Sequence, residues 1–308
     1  MICAIALRFN STKVVEMKIG FIGLGNMGKA MANVLLQKYP DLVVYNRTRS
    51  AADELEQAGA QVANSPIEVA RQCEVVITML SNDAVVEAVT LGDEGLSAGL
   101  AKDAIHISMS SISPNLSKQL AQHHAQAGQA YFAAPVFGRP DVAAKGNLWI
   151  VAGGNNDQIE HCRSILEAMS RGISIVSTDP SLANLVKITG NFTITAVMET
   201  LGETFALMQK SGIEPQAFLQ VLNQVYQSPM YESYGTQIAQ QRFDPALFAL
   251  KLGLKDIRLV RQVADEADVP MPLVNLVYEH MLSAIAHGRA EQEWSSFAQV
   301  NAENAGLK

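Results

Sequence analysis

From Met17 to about Ile175 the chain alternates short apolar runs with longer stretches whose apolar positions recur at helical spacing. MKIGFIG (17–23), LVVYN (42–46), CEVVITML (73–80) and AIHISM (104–109) are continuous apolar runs of strand length. Strands without polar alternation are covered on both faces. NMGKAMANVLLQK (26–38), SAADELEQAGA (50–60), NDAVVEAVTLG (82–92) and SPNLSKQLAQHHAQAG (113–128) lie between and after them with the helical period. This alternation predicts an α/β fold with a parallel sheet. YFAAPVF (131–137), LWIVAGG (148–154) and ISIVS (173–177) extend that sheet. Beyond Asp179-Pro180 the strand signals stop, and helical patterns cover about 181–211, 215–225, 245–267, 272–287 and 291–302. The reading is an α/β domain over 17–180 and an all-α domain over 181–308.

Composition narrows the function classes. A length of 308 residues suits two domains, and a net charge of −7 leaves no basic stripe for nucleic acid. No apolar run reaches the ~18–20 residues that span a bilayer, which points to a soluble protein without a membrane partner. Cys3, Cys73 and Cys162 are too scattered for a metal site and fit reduced thiols of a cytoplasmic protein. Residues 1–16 lack the features of a signal peptide and read as an accessory tail. The histidines at 106, 123, 124, 161, 280 and 287 show no ligand spacing; solvated side chains and no metal are expected.

Gly23-Leu24-Gly25-Asn26-Met27-Gly28 directly follows the first predicted strand and opens the first helix. A first glycine there permits a tight turn, a second lets backbone approach a pyrophosphate, and a third lets helix and strand pack closely. The helix N-terminus offers free N–H groups to phosphate. A lone motif of this kind is weak, but its place in a βαβ unit makes it a dinucleotide-binding turn. The second strand ends in Tyr45-Asn46-Arg47-Thr48-Arg49. An NAD site usually carries an acid there, whereas arginine suits a 2′-phosphate, so NADP is the expected cofactor.

Three further stretches carry polar groups on apolar scaffolding. SMSSISP (108–114) puts Ser110 and Ser111 at a strand's carboxyl end, where open α/β sheets bind ligands, and its serines also suit an N-cap before Pro114; both readings are compatible. AAPVFGRPD (133–141) is either a functional loop or an ordinary turn. Ala183, Lys187 and Asn191 are spaced by four and share one face of the long helix. From that spacing alone, Lys187 is either a catalytic amine or one that snorkels to solvent.

With these motifs in order, the chain resembles the β-hydroxyacid dehydrogenase family from Met17 to about residue 300. The likeness rests on the glycine turn, Met79-Leu80, Ser-Ser-x-x-Pro, Ala-Pro-Val-x-Gly, Lys-x-x-x-Asn and LKDIRL (254–259). It implies an N-terminal Rossmann dinucleotide-binding domain, a C-terminal all-α domain and oxidoreduction of small hydroxyacids or semialdehydes. By resemblance, Lys187 is the general acid/base and Asn191 orients substrate. Ser110 touches the substrate carboxylate, Ser111 and Lys255 lie near the cofactor, and Asp256 fixes Lys255 beside the substrate. The resemblance also implies a dimer or tetramer formed through the helical domain, in keeping with a long helix that is apolar nearly all round.

Two departures stand out: Ala183 replaces the usual Gly, and Phe137-Gly138-Arg139 replaces the usual Ser-Gly-Gly of the substrate loop. A bulkier or less polar carbonyl compound is the expected substrate. Related folds that reduce C=N bonds make imine reduction an alternative. A non-catalytic NADP-binding scaffold is another, although retained Lys187 argues against it.

Overall fold

The structure is a computed structural model and describes residues 17–307. The expected tail, residues 1–16, lies outside the described residues. Among the described residues the strands are β1 (Ile19–Ile22), β2 (Val43–Tyr45), β3 (Gln61–Val62), β4 (Val75–Thr78), β5 (Ile105–Ser108), β6 (Ala130–Ala133), β7 (Val136–Phe137), β8 (Leu148–Gly153) and β9 (Ser170–Ser177). They form one sheet in the order β3-β2-β1-β4-β5-β6-β8-β7, with β9 paired to β8. The run from β3 to β6 is parallel throughout. Order therefore reverses between β1 and β4, which opens a crevice at the strands' carboxyl ends.

The sheet's later strands depart from the expected all-parallel pattern. Pro135 lacks an N–H and divides the predicted 131–137 run into β6 and β7. β8 runs antiparallel to both, and β9 returns parallel to β8. Phe21, Ile77, Ile107 and Phe132 fill the layer between the sheet and the helix Asn26–Lys38 and are fully buried.

The chain then enters a 31-residue helix, Pro180–Lys210. Asp179 caps it by accepting from the Ser181 N–H at 2.9 Å, and Pro180 takes the first turn where its missing N–H costs nothing. The first turns lie against the sheet: Ala183 packs with Ala133 and Val151. A Cβ at Gly153 would stand 3.0 Å from that of Ala183, so glycine in β8 makes the room that Ala183 takes. Further along, Ile188, Met198, Leu201 and Phe205 form a second core with Ile257, Val277, Met281 and Phe297. The molecule is thus a Rossmann-type domain followed by a helical domain, with one helix touching both cores.

Two helical expectations need correction. Residues 245–249 do not join the helix Leu250–Glu266; they cross the crevice as loop, because Leu247 and Phe248 donate their N–H groups to Glu293. An unexpected helix, Pro229–Ala239, fills the preceding interval.

Candidate active site

The carboxyl ends of β1, β2, β4 and β5 open onto one continuous cleft. Its outer part is lined by Gly23, Gly25, Asn46, Arg47, Thr48, Met79 and Leu80. The middle part adds Asn26, Met27, Gly28, Ser111, Lys255 and Asp256. The inner part is a cavity of about 150 Å³. It is walled by Met27, Met79, Ser111, Phe137, Gly138 and Arg139, and by Lys187, Asn191, Ile194, Tyr234, Phe248 and Trp294 from the helical side. The aromatic walls Tyr234, Phe248 and Trp294 were not expected from the sequence. No polar spacing marks them, and the helix and loop that bring in the first two were missed.

The glycine turn is built as the motif requires. Gly23 has φ +100°, and a Cβ there would meet the Met79 carbonyl oxygen at 2.3 Å. A Cβ on Gly28 would lie 1.9 Å from the Gly23 carbonyl oxygen. A Cβ on Gly25 would meet nothing within 4 Å, so that glycine faces open cleft. Gly25 also begins the helix without any side-chain cap, and the first turn carries no acid. This leaves donors and a positive helix end for a pyrophosphate, so the residues present fit a dinucleotide.

At the β2 end, Asn46 turns its amide onto the chain: Oδ1 accepts from the Leu24 N–H at 2.9 Å and Nδ2 donates to the Thr48 carbonyl. Asn46 thus shapes the turn rather than offering that oxygen to a ribose. Leu24 likewise points its side chain into the core. Arg49 is tied to Asp53 and Glu56 on the surface. Arg47 is exposed at the cleft and makes no ion pair among the described residues.

Around Lys187 four side chains form a chain of contacts. Lys187 is buried, 8% exposed, and its Nζ donates to Asn191 Oδ1 at 2.8 Å. Asn191 Nδ2 donates to Asp256 Oδ2 at 2.6 Å. Lys255 Nζ lies 3.0 Å from Asp256 Oδ1 and also donates to the Ser111 carbonyl. The amine does not snorkel. Burial lowers the Lys187 pKa to about 8; Asp256 opposes that fall and Lys255 adds to it. Phe137 lies against the same ammonium, with its ring centroid 4.1 Å from Nζ.

Several expected positions are corrected. Ser110 does not reach the cavity: it is fully buried and its Oγ accepts from the Leu80 N–H at 2.8 Å, which fixes the turn after β4. Ser111 lines the cavity in its place, and within the same serine-rich stretch Ser113 is the N-cap before Pro114. Asp256 lines the cleft, pairs with Lys255 and, beyond that expectation, accepts from the Asn191 amide. Arg139 lines the cavity, 3.6 Å from Asp141 through Nε, with a buried Nη1 that has no hydrogen-bond partner among the described residues. His106 and His124 are not solvated; both are fully buried and bonded to each other.

Comparison with known proteins fits this architecture. Residues 18–179 match the family described as the NAD binding domain of 6-phosphogluconate dehydrogenase. Residues 182–301 match the family described as NAD-binding of NADP-dependent 3-hydroxyisobutyrate dehydrogenase. The chain belongs to the β-hydroxyacid dehydrogenase family. Among its relatives in that family, the uncharacterized oxidoreductase YfjR of Bacillus subtilis is 42% identical over 91% of this chain and 98% of its own. The 3-sulfolactaldehyde reductase of Escherichia coli is 31% identical over 94% and 97%. A crystal structure titled 3-hydroxyisobutyrate dehydrogenase from Salmonella typhimurium shares the dehydrogenase fold, with a TM-score of 0.83 at 22% identity over 92% and 99% of the chains. As a β-hydroxyacid dehydrogenase the chain is an oxidoreductase that uses a nicotinamide dinucleotide.

Proposed function

We propose that the protein is an NADP-dependent reductase of small carbonyl compounds in which Lys187 is the general acid, and in the reverse direction the general base. The observation that supports this most is the setting of Lys187: a buried amine, hydrogen-bonded to Asn191, in the cavity where the cleft of the glycine turn ends. A bound NADPH would supply hydride to the carbonyl carbon. Lys187 then donates a proton from Nζ to the oxygen as that atom gains negative charge. Asn191 Oδ1 engages one ammonium hydrogen and so directs the others, while Asp256 holds the Asn191 amide in that orientation. With a pKa near 8, both protonation states are accessible at neutral pH, as reversible acid/base work requires.

The relative named 3-sulfolactaldehyde reductase makes small aldehydes the first substrates to test. Lys187→Ala is expected to lower NADPH oxidation with such aldehydes by roughly 10²–10⁴-fold while NADPH still binds. Full turnover in that variant would refute the assignment. The apolar cavity walls, Phe137, Ile194 and Phe248 among them, also favour cyclic imines as an alternative substrate class. A panel holding both classes distinguishes the two, and a flat response with tight NADPH binding favours a scaffold.

Arg47 supports NADP over NAD. A charge-assisted pair with a 2′-phosphate is worth about 1.5–3 kcal/mol, so Arg47→Ser is expected to cut preference for NADPH by ~10–100-fold. Assembly through the helical domain is supported by apolar Leu182, Val186 and Leu207, which remain exposed along the long helix. A dimer or tetramer in the cytoplasm is the form we expect; a monomeric mass in solution opposes it.

A further inference from the structure

Gly190 is a glycine inside a 31-residue helix, where it is worth about 1 kcal/mol less than alanine. Its neighbour explains it. A Cβ at position 190 would stand 2.4 Å from Phe137 Cζ and 2.8 Å from Cε1. The missing side chain is therefore the space that the Phe137 ring occupies. From that seat the ring centroid is 4.1 Å from Lys187 Nζ, inside the range for attraction between an ammonium and an aromatic face. Gly190 follows Lys187 by three residues, so both lie on the helix face that meets β7.

We propose that Phe137 is a positioning residue for Lys187, holding the ammonium against its ring face, and that Gly190 is the seat that makes this possible. In this arrangement Lys187 is gripped from two directions. Asn191 fixes one hydrogen by a directed bond, and the ring attracts the charge without a directed bond, which leaves remaining hydrogens for a substrate oxygen. The charged groups facing the amine are Asp256 and Lys255 from the Leu250–Glu266 helix; Arg139 is the other charge in the cavity wall. None of these belongs to the ring, so its contribution is separable. The proposal deepens the reading of Lys187 as the acid and rests on it only for the catalytic consequence.

The test follows Lys187 directly, on the full chain with ¹³C-labelled lysines, its Cε signal assigned by Lys187→Arg. Fluorinated phenylalanines at position 137 keep the ring's shape and weaken its attraction for cations. The Lys187 pKa is expected to fall stepwise with fluorination, by about half a unit to one unit for the most fluorinated ring. Phe137→Tyr is expected to preserve it. Gly190→Ala is expected to displace the ring and abolish the upfield ring-current shift of the Lys187 Hε signals. Adding Phe137→Leu to that variant should change little more, because the two residues act together. A pKa indifferent to fluorination, or an unaltered Hε shift in Gly190→Ala, overturns the proposal. A second readout, the pH dependence of NADPH oxidation, separates the two ideas: a titration that moves with fluorination while the rate profile stays put refutes Lys187 as the acid and leaves Phe137 as its partner.

Discussion

At Lys187 two influences oppose each other: burial disfavours the ammonium and Asp256 favours it. If Lys187 is the acid as proposed, reduction needs the protonated amine, and its rate is expected to be highest below the Lys187 pKa and to fall as pH rises through about 8. Asp256→Asn removes the favouring charge while keeping a group that can accept from the Asn191 amide. The falloff is then expected at lower pH, with kcat reduced at pH 8 and recovering toward pH 6. A profile of kcat from pH 5.5 to 9.5 checks this, and an unmoved falloff counts against the coupling. The sequence placed Lys187 and Asn191 on one helix face because four-residue spacing is local. It did not reveal the Asn191–Asp256 bond, which joins residues 65 apart. The resemblance assigned Ser110 to the substrate and Ser111 to the cofactor, but adjacent residues at a strand end differ in direction, and the Leu80 N–H consumes the Ser110 hydroxyl.

Among the elements, the glycine turn makes a contrast that separates folding from binding. Gly25→Ala adds a methyl that meets nothing in the protein, whereas Gly28→Ala drives one into the Gly23 carbonyl. Gly25→Ala is expected to keep the wild-type Tm and weaken NADPH binding by tenfold or more, because the methyl enters the space a pyrophosphate needs. Gly28→Ala is expected to lower Tm by several degrees even without cofactor. Thermal melts and fluorescence titration with NADPH read both effects, and equal loss of Tm in the two variants would contradict the geometry. Strands buried on both faces, such as Val75–Thr78, were legible because a short, β-branched apolar run between helical patterns fits a central strand. Short helices such as Pro66–Gln72 and Asn156–His161 were not, since one or two turns carry too few periodic positions and are fixed by caps such as Ser65 and Asn155. The turn over 245–249 is set by Glu293, almost fifty residues downstream, and local pattern cannot show it.

The stability of the molecule as a whole depends on a polar chain laid through its apolar core. Gln129 Nε2 donates to the Ser97 and Leu100 carbonyls, which leaves Oε1 to accept from His124 Nδ1. His124 Nε2 must then accept from His106 Nδ1, and His106 Nε2 from the Thr78 hydroxyl. A proton on His124 Nε2 sets N–H against the His106 Nδ1–H, whereas a proton on His106 Nε2 turns the Thr78 hydroxyl from donor to acceptor. Burial lowers the His124 pKa to about 4 and pushes His106 well below its ordinary range. For a base whose folded pKa is depressed, the unfolded chain binds more protons, so stability is full above about pH 6.5 and is lost as pH falls toward the folded value. At about 1.4 kcal/mol per unit, His124 contributes a loss of about 3 kcal/mol between pH 6.5 and 4. The urea midpoint of the wild-type protein is expected to drop across that window. His124→Gln, which takes up no proton, starts lower at pH 7.5 because it disturbs the chain but declines less steeply. Parallel declines in the two proteins would show that groups other than His124 govern acid unfolding.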